Sequence, residues 1–194
     1  MKNIDPISLF GEWFKEAKDN PDIIEPTALT LATASKDGIP SARIVLLKHY
    51  SYEGFVFYTN LTSKKGMELK ENPMASLCFY WERLNKQVRI NGKVSKVHER
   101  DADLYFAQRA RDSQISAWAS KQSVMMENME YLDKRIALIS EDFKDVDVPR
   151  PPFWSGYIVS PDVIEFWEKG EHRRHNRNLY KRVANGWQHE MLYP

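Results

Sequence analysis

The chain has 194 residues, 28 Lys plus Arg against 27 Asp plus Glu, 42% hydrophobic residues and a single cysteine. That length holds one domain with a substantial core, and a net charge of +1 supplies no global field for nucleic acid or an anionic membrane. The lone Cys78 excludes an internal disulfide, no apolar run reaches a membrane span, and "MKNIDPISLF" lacks the charged start and apolar stretch of a signal peptide, so a cytoplasmic location is expected.

In chain order, "DPISLFGEWFKEAKDNP" offers Asp5 as an N-cap and Pro6 at the first helical position. Leu9, Phe10, Trp13, Phe14 and Ala17 recur at helical spacing, which predicts a helix over about 5–19. "ALTLATAS" reads as a strand, "KDG" as a turn and "SARIVLLKHY" as one second strand. "FVFYTN" is a third strand, and "SKKGMELKEN" a short helix capped by Thr62 or Ser63. "MASLCFYW" and "KQVRINGKVSKV" are strands four and five, with Gly92 marking a bend or bulge. Cys78, inside an apolar run, reads as a buried structural thiol. A helical insertion over about 98–144 follows, in three segments, then the proline-rich connector "VDVPRPPF". Four strand-like segments close the chain: "WSGYIVS", "DVIEFWEK", "EHRRHNRNLYKRV" and "GWQHEMLY". Strands, then helices, then strands predict one α+β domain over 1–194, built on an antiparallel sheet or barrel. The absence of regular strand–helix alternation and of a Gly-rich phosphate loop argues against a doubly wound nucleotide fold.

Four polar clusters carry the candidate chemistry. In "RIVLLK", Arg43 and Lys48 bracket a core strand; solvated strand ends and an anion site are both open readings. In "YTNLTSKK" a strand runs into a helix that starts with two lysines, which oppose the helix dipole unless an anion sits there. In "YFAQRARDSQ", Tyr105 and Arg109 share a helical face, and Asp112 and Ser113 look like the cap of the next helix. In "GEHRRHNR", a strand would send Arg173, His175 and Arg177 to one face and His172, Arg174 and Asn176 to the other. That alternation separates the two histidines, and no carboxylate or cysteine set completes a metal spacing, so no metal is expected. A nucleic-acid grip lacks a supporting basic face. A pocket for a small, flat, anionic ligand remains.

Taken together and in this order, "RIVLLKHY", "VFYTN", "SKK", "KQVRINGK", "RDSQISAWASKQS", "FWSGY", "IEFW", "GEHRRHNR" and the terminal "LYP" resemble the pyridoxine/pyridoxamine 5′-phosphate oxidases, a flavoprotein family with an antiparallel split β-barrel and peripheral helices. The resemblance implies a homodimer with flavin mononucleotide (FMN) at its interface. The implied reaction oxidises pyridoxamine or pyridoxine 5′-phosphate to pyridoxal 5′-phosphate and reduces O2 to H2O2. It implies an FMN site at Arg43, Ile44, Val45, Leu46, Leu47, Lys48, Tyr58, Thr59, Lys64, Lys65, Gln87, Gln122, Ser123, Trp167 and Arg177. Lys48, Tyr105, Arg109 and Ser113 match the groups that hold the substrate phosphate, and Arg173 and His175 those that cover its ring and act in catalysis. Lys64 stands where relatives often carry Arg, which keeps the charge and loses the bidentate fork. A flavin carrier, or a reductase of another substrate, would share Arg43, Tyr58 and the lysines. It need not keep Tyr105, Arg109, Ser113, Arg173 and His175, all of which are present.

Overall fold

The computed structural model describes residues 5–194. Residues 1–4, which belong to the expected single-domain span and to the stretch read as lacking a signal peptide, lie outside the described residues. Asp5 accepts the N–H of Ser8 at 2.7 Å and starts α1 (Pro6–Asp19). Its apolar stripe drives Phe10, with no exposed surface, into the rings of Phe55 and Phe79 at 4.9 and 5.2 Å. Nine strands follow among the described residues: β1 (Ala28–Ala34), β2 (Pro40–Leu46), β3 (His49–Ser51), β4 (Gly54–Asn60), β5 (Met74–Trp81), β6 (Lys86–Lys96), β7 (Trp154–Glu168), β8 (Asn176–Val183) and β9 (Gly186–Met191). All pair antiparallel in the order β2-β1-β5-β6-β7-β4-β3, with β8 on β7 and β9 on β8. The helix α2 (Lys64–Glu71) sits between β4 and β5, capped by Ser63. The insertion forms α3 (Glu99–Ala107), α4 (Arg111–Ala119) and α5 (Met129–Asp142). None of these helices is long and apolar enough to cross a membrane.

The strand order is set by where the chain breaks and where it runs on. The expected single strand "SARIVLLKHY" is broken at Leu47 and Lys48. The Leu47 N–H donates to the Thr27 carbonyl beside β1, and the Lys48 N–H donates to the Val56 carbonyl of β4. Pairing thus passes from one edge of the sheet to the other, which places Lys48 at a corner. In contrast, the expected pair "WSGYIVS" and "DVIEFWEK" is one continuous 15-residue strand, β7. Pro161 is accommodated by the register shift at Asn91/Gly92, where the bulge relieves the ladder of a donor that proline lacks. Gly92 is needed there: a Cβ on it would stand 2.0 Å from the Ser160 carbonyl oxygen. Gly92→Ala is therefore expected to cost about 3 kcal/mol, read as a lower urea midpoint at unchanged m-value.

Two further expectations are corrected. The first concerns "EHRRHNRNLYKRV", which is not a strand throughout. Glu171–Arg173 form a 3₁₀ turn in which His172 and Arg173 have φ of 51° and 63°, and β8 begins only at Asn176. The chain doubles back so tightly that a Cβ on Gly170 would meet the Arg174 carbonyl oxygen at 2.0 Å. Strand alternation therefore does not govern Arg173 and His175. The second concerns Asp112 and Ser113, which do not cap α4. The helix starts at Arg111 behind Ala110, because the Arg111 guanidinium is anchored on the carbonyls of Phe143, Lys144 and Val146 past the end of α5.

Candidate active site

Between β2, β4, α2 and the α3–α4 region lies a cleft of about 1170 Å³. It gathers Arg43, Ile44, Val45, Leu46, Lys48, Tyr58, Thr59, Lys64, Lys65, Tyr105, Arg109, Ser113, Gln122 and Ser123. Residues far apart in sequence meet here because β2 and β4 share the corner at Lys48, while the insertion caps the far end of β4. That cap rests on its own small core of Phe106, Ile115, Val148 and Trp154. Leu47 does not line the cleft; its side chain is 4% exposed and packs in the main core.

One pole of the cleft is cationic. Lys65, on the first turn of α2, is buried, and its ammonium donates to Thr59 Oγ1 at 3.1 Å, Ser63 Oγ at 3.2 Å and Gln122 Oε1 at 2.8 Å. No carboxylate pairs with it among the described residues. Burial first, and then the nearby Arg43 charge, lower its pKa to about 8, with Glu68 opposing. Lys64 lies beside it and 3.9 Å from Glu68 Oε1. Arg43 donates to the Leu31 carbonyl at 3.2 Å, to Thr33 Oγ1 at 2.5 Å and to Ser41 Oγ at 2.6 Å. Ser123, with φ of 72°, turns the chain in after α4. A buried ammonium bonded to neutral oxygens, beside a helix start and two more cations, has the chemistry to accept an anion such as a phosphate. Because the ammonium is the binding form, anion affinity is expected to be flat below pH about 8. Above that the free protein must first take up a proton, so affinity falls by up to about ten-fold per pH unit. Titrating sulfate, whose charge stays constant across pH 6.5 to 9.5, by calorimetry checks this.

The other pole is aromatic, with a half-buried cation, Arg109. Tyr58 stacks on Tyr105 at 4.0 Å and on Trp154 at 5.2 Å, with interplanar angles of 9° and 8°. The Arg109 guanidinium lies 4.9 Å over the Trp154 ring. Its Nη1 is buried without a hydrogen-bond partner among the described residues. Burial lowers the Arg109 pKa, with Tyr105 opposing. An unpaired buried donor on a cation costs free energy until an anion meets it. Arg109 lies just beyond the end of α3, not within the helix as its spacing from Tyr105 suggested. Ser113 faces the same space from the first turn of α4.

Gln87, Trp167, Arg173, His175 and Arg177 form a separate cluster outside the cleft. Gln87 pairs with Trp167 across β6 and β7, and Trp167 with Arg177 across β7 and β8. The Trp167 and His175 rings are 4.7 Å apart. Arg177 donates to buried Glu165 at 2.8 Å and to the Tyr193 carbonyl at 2.9 Å, and Arg89 holds the other Glu165 oxygen. Burial pushes the Glu165 pKa up, but hydrogen bonds and charge from Arg177 and Arg89 outweigh it, and the carboxyl is held below its usual range. Gly156, the partner of Tyr58, and Trp167 are eleven residues apart on β7, roughly 36 Å of strand at about 3.3 Å per residue. Within one chain the two clusters are therefore separate. Thr33, Ser41 and Glu68 stand out in no sequence motif beyond the Lys64 to Glu68 spacing, and Trp154 only as part of "FWSGY".

Comparison with known proteins places this architecture. Residues 15–141 match the family described as pyridoxamine 5′-phosphate oxidase. Residues 154–194, which carry Trp167 to Arg177, match the pyridoxine 5′-phosphate oxidase C-terminal dimerisation region. The pyridoxine/pyridoxamine 5′-phosphate oxidase of Myxococcus xanthus is 50% identical over 190 residues, 98% of this chain and 92% of that protein. Its namesake in Zymomonas mobilis is 49% identical over 190 residues, 98% of each chain. Among solved structures, PhzG from Burkholderia lata in complex with tetrahydrophenazine-1-carboxylic acid superposes with a TM-score of 0.92 at 34% identity, covering 98% of this chain and 93% of that one. A related FMN-binding protein of Nostoc punctiforme, 17% identical with a TM-score of 0.78 over 99% of this chain and all of that one, shares the fold. With both family regions present in order, and near-half identity along almost its whole length, the chain belongs to the pyridoxine/pyridoxamine 5′-phosphate oxidase family.

Proposed function

We propose that the chain is an FMN-dependent oxidase of pyridoxamine 5′-phosphate and pyridoxine 5′-phosphate. The product is pyridoxal 5′-phosphate, with O2 reduced to H2O2 and ammonia released from the amine. The observation that carries this reading is a pair of cations without acidic partners among the described residues, at two poles of one cleft: buried Lys65, and half-buried Arg109 with its buried Nη1. Two such poles suit two phosphates, one on a cofactor and one on a substrate. The names of the relatives supply the chemistry between them.

The cationic pole fits FMN: Arg43, Lys64 and Lys65 with Ser123 would hold its phosphate, and Tyr58, Thr59 and Gln122 would border the rest. FMN, when bound, supplies the acceptor for a hydride equivalent and its return to dioxygen. The protein's own work is binding and orientation. Lys48, Tyr105, Arg109 and Ser113 would clamp the substrate phosphate, and that remote anchor places the reacting 4′ carbon. The stacked Tyr58, Tyr105 and Trp154 rings keep water from the Arg109 charge, which strengthens it. Arg173 and His175 would cover the substrate ring from the second half-site. One chain keeps the half-sites apart, so the reading requires a homodimer in which each cleft is completed by the dimerisation region of the other copy. FMN then lies at the interface.

The test is spectroscopic. Purified protein reconstituted with FMN is expected to show the visible flavin bands and to bleach anaerobically with pyridoxamine 5′-phosphate. A protein that takes up no FMN overturns the reading. A flavoprotein that bleaches only with tetrahydrophenazine-1-carboxylic acid supports a second reading, prompted by the likeness to PhzG.

A further inference from the structure

Glu68 is a buried carboxylate inside an anion-binding pole, where an acid is at first sight out of place. It is 6% exposed on the second turn of α2. Its Oε2 accepts from Thr33 Oγ1 at 2.5 Å, Ser41 Oγ at 2.6 Å and Arg43 Nη2 at 3.4 Å. Its Oε1 accepts from Ser41 Oγ at 2.8 Å and lies 3.9 Å from the Lys64 ammonium. Thr33 and Ser41 also receive donors from Arg43. The guanidinium is thus fixed to β1, β2 and α2 at once, through a network whose hub is Glu68. Burial raises the Glu68 pKa, yet the hydroxyls of Ser41 and Thr33 and the charges of Arg43 and Lys64 together hold it below its usual range, so it is ionised at neutral pH.

Charge counting gives this carboxylate a task. Arg43, Lys64 and Lys65 bring three positive charges to one end of the cleft. Without a counter-charge they repel one another, and Lys65, the most buried, would lose its proton first. Glu68 reduces the sum to two, which matches a phosphate monoester carrying close to two negative charges. The other charged or titratable groups on this cleft are Lys48 at the β2–β3 corner, Tyr58 on β4, Tyr105 and Arg109 at the end of α3, and Asp112 on α4.

We propose that Glu68 is a positioning residue of the anion pole: it orients Arg43 through Thr33 and Ser41, and its charge keeps Lys65 competent to bind phosphate. This inference rests on the reading that the pole takes the FMN phosphate. The experiment measures FMN affinity by flavin fluorescence quenching from pH 6.5 to 9.5, in the wild-type chain and in Glu68→Gln and Glu68→Ala. At pH 6.5 the Glu68→Gln variant is expected to bind at least as tightly as wild type, because a negative charge beside the phosphate is gone. Its alkaline fall is expected to begin about one pH unit below that of wild type, because Lys65 has lost its counter-charge. Glu68→Ala, which also frees Arg43, is expected to lose about ten-fold at pH 6.5, and the glutamine variant keeps that affinity. A Glu68→Gln profile that coincides with wild type overturns the inference even if the alanine variant fails to fold. Wild-type protein that binds no FMN overturns the functional reading, and this inference with it.

Discussion

Replacing Arg109 with alanine is expected to raise the KM for pyridoxamine 5′-phosphate about 100-fold while leaving FMN content and FMN affinity within about two-fold of wild type. The magnitude follows from the surroundings. The guanidinium is half-buried over Trp154 and has a buried Nη1 with no partner among the described residues, so a substrate phosphate gains a charge-assisted bond in a low-dielectric setting and relieves an unpaired donor. A hundred-fold change corresponds to about 2.7 kcal/mol, within the range for truncating a buried charged partner. The selectivity follows from position, because Arg109 belongs to the aromatic pole and Lys65 to the cationic one. Steady-state kinetics with a flavin titration on the same preparation separates the two. Loss of FMN from the variant would mean that the poles have been assigned the wrong way round.

Arg173→Ala is expected to lower turnover about 100-fold with FMN content nearly intact, and mixing it with Arg109→Ala is expected to restore activity. Arg173 is exposed in a left-handed turn and donates no hydrogen bond that holds the fold among the described residues, so its loss is expected to leave stability unchanged. The mixing experiment follows from the separation of the half-sites. If each cleft is completed by the second copy, a mixed dimer carries one doubly altered site and one fully native site. Statistical reassortment of equal amounts then recovers about a quarter of wild-type activity at low substrate. If each site lay within one chain, every site in the mixture would carry one lesion and nothing would return. Co-expression with two affinity tags, followed by an assay of the doubly tagged species, reads the outcome directly.

Much of the fold was legible because its signals are local. Asp5 and Pro6 start α1, the apolar spacing of Phe10 and Phe14 sets its buried face, Ser63 caps α2 and Gly92 marks the bulge; each needs only its neighbours in sequence. The errors came where a long-range contact overrode a local pattern. "SARIVLLKHY" is uniformly strand-like, yet breaks because the N–H groups of Leu47 and Lys48 find acceptors in different places, Thr27 beside β1 and Val56 on β4. "DVIEFWEK" joins "WSGYIVS" because a bulge in β7, with Asp162 as the extra residue, tolerates Pro161. The Arg173 to Arg177 alternation failed because the turn after Gly170 costs two residues in left-handed backbone, which no strand-like composition reveals.

By itself the sequence pointed to a class of ligand. Lysines at a helix start, arginines at strand ends and near-neutral total charge already pointed to a small anion, because residue type and local spacing set the sign and range of an electrostatic site. Only the tertiary structure decided how those charges are divided. It buried Lys65 at one pole and half-buried Arg109 at the other, enclosed Glu68 among the cations, and left Trp167, Arg173 and His175 outside the cleft. Burial and the pairing of distant strands set which charges are desolvated and which meet, and neither is a property of residues adjacent in the chain.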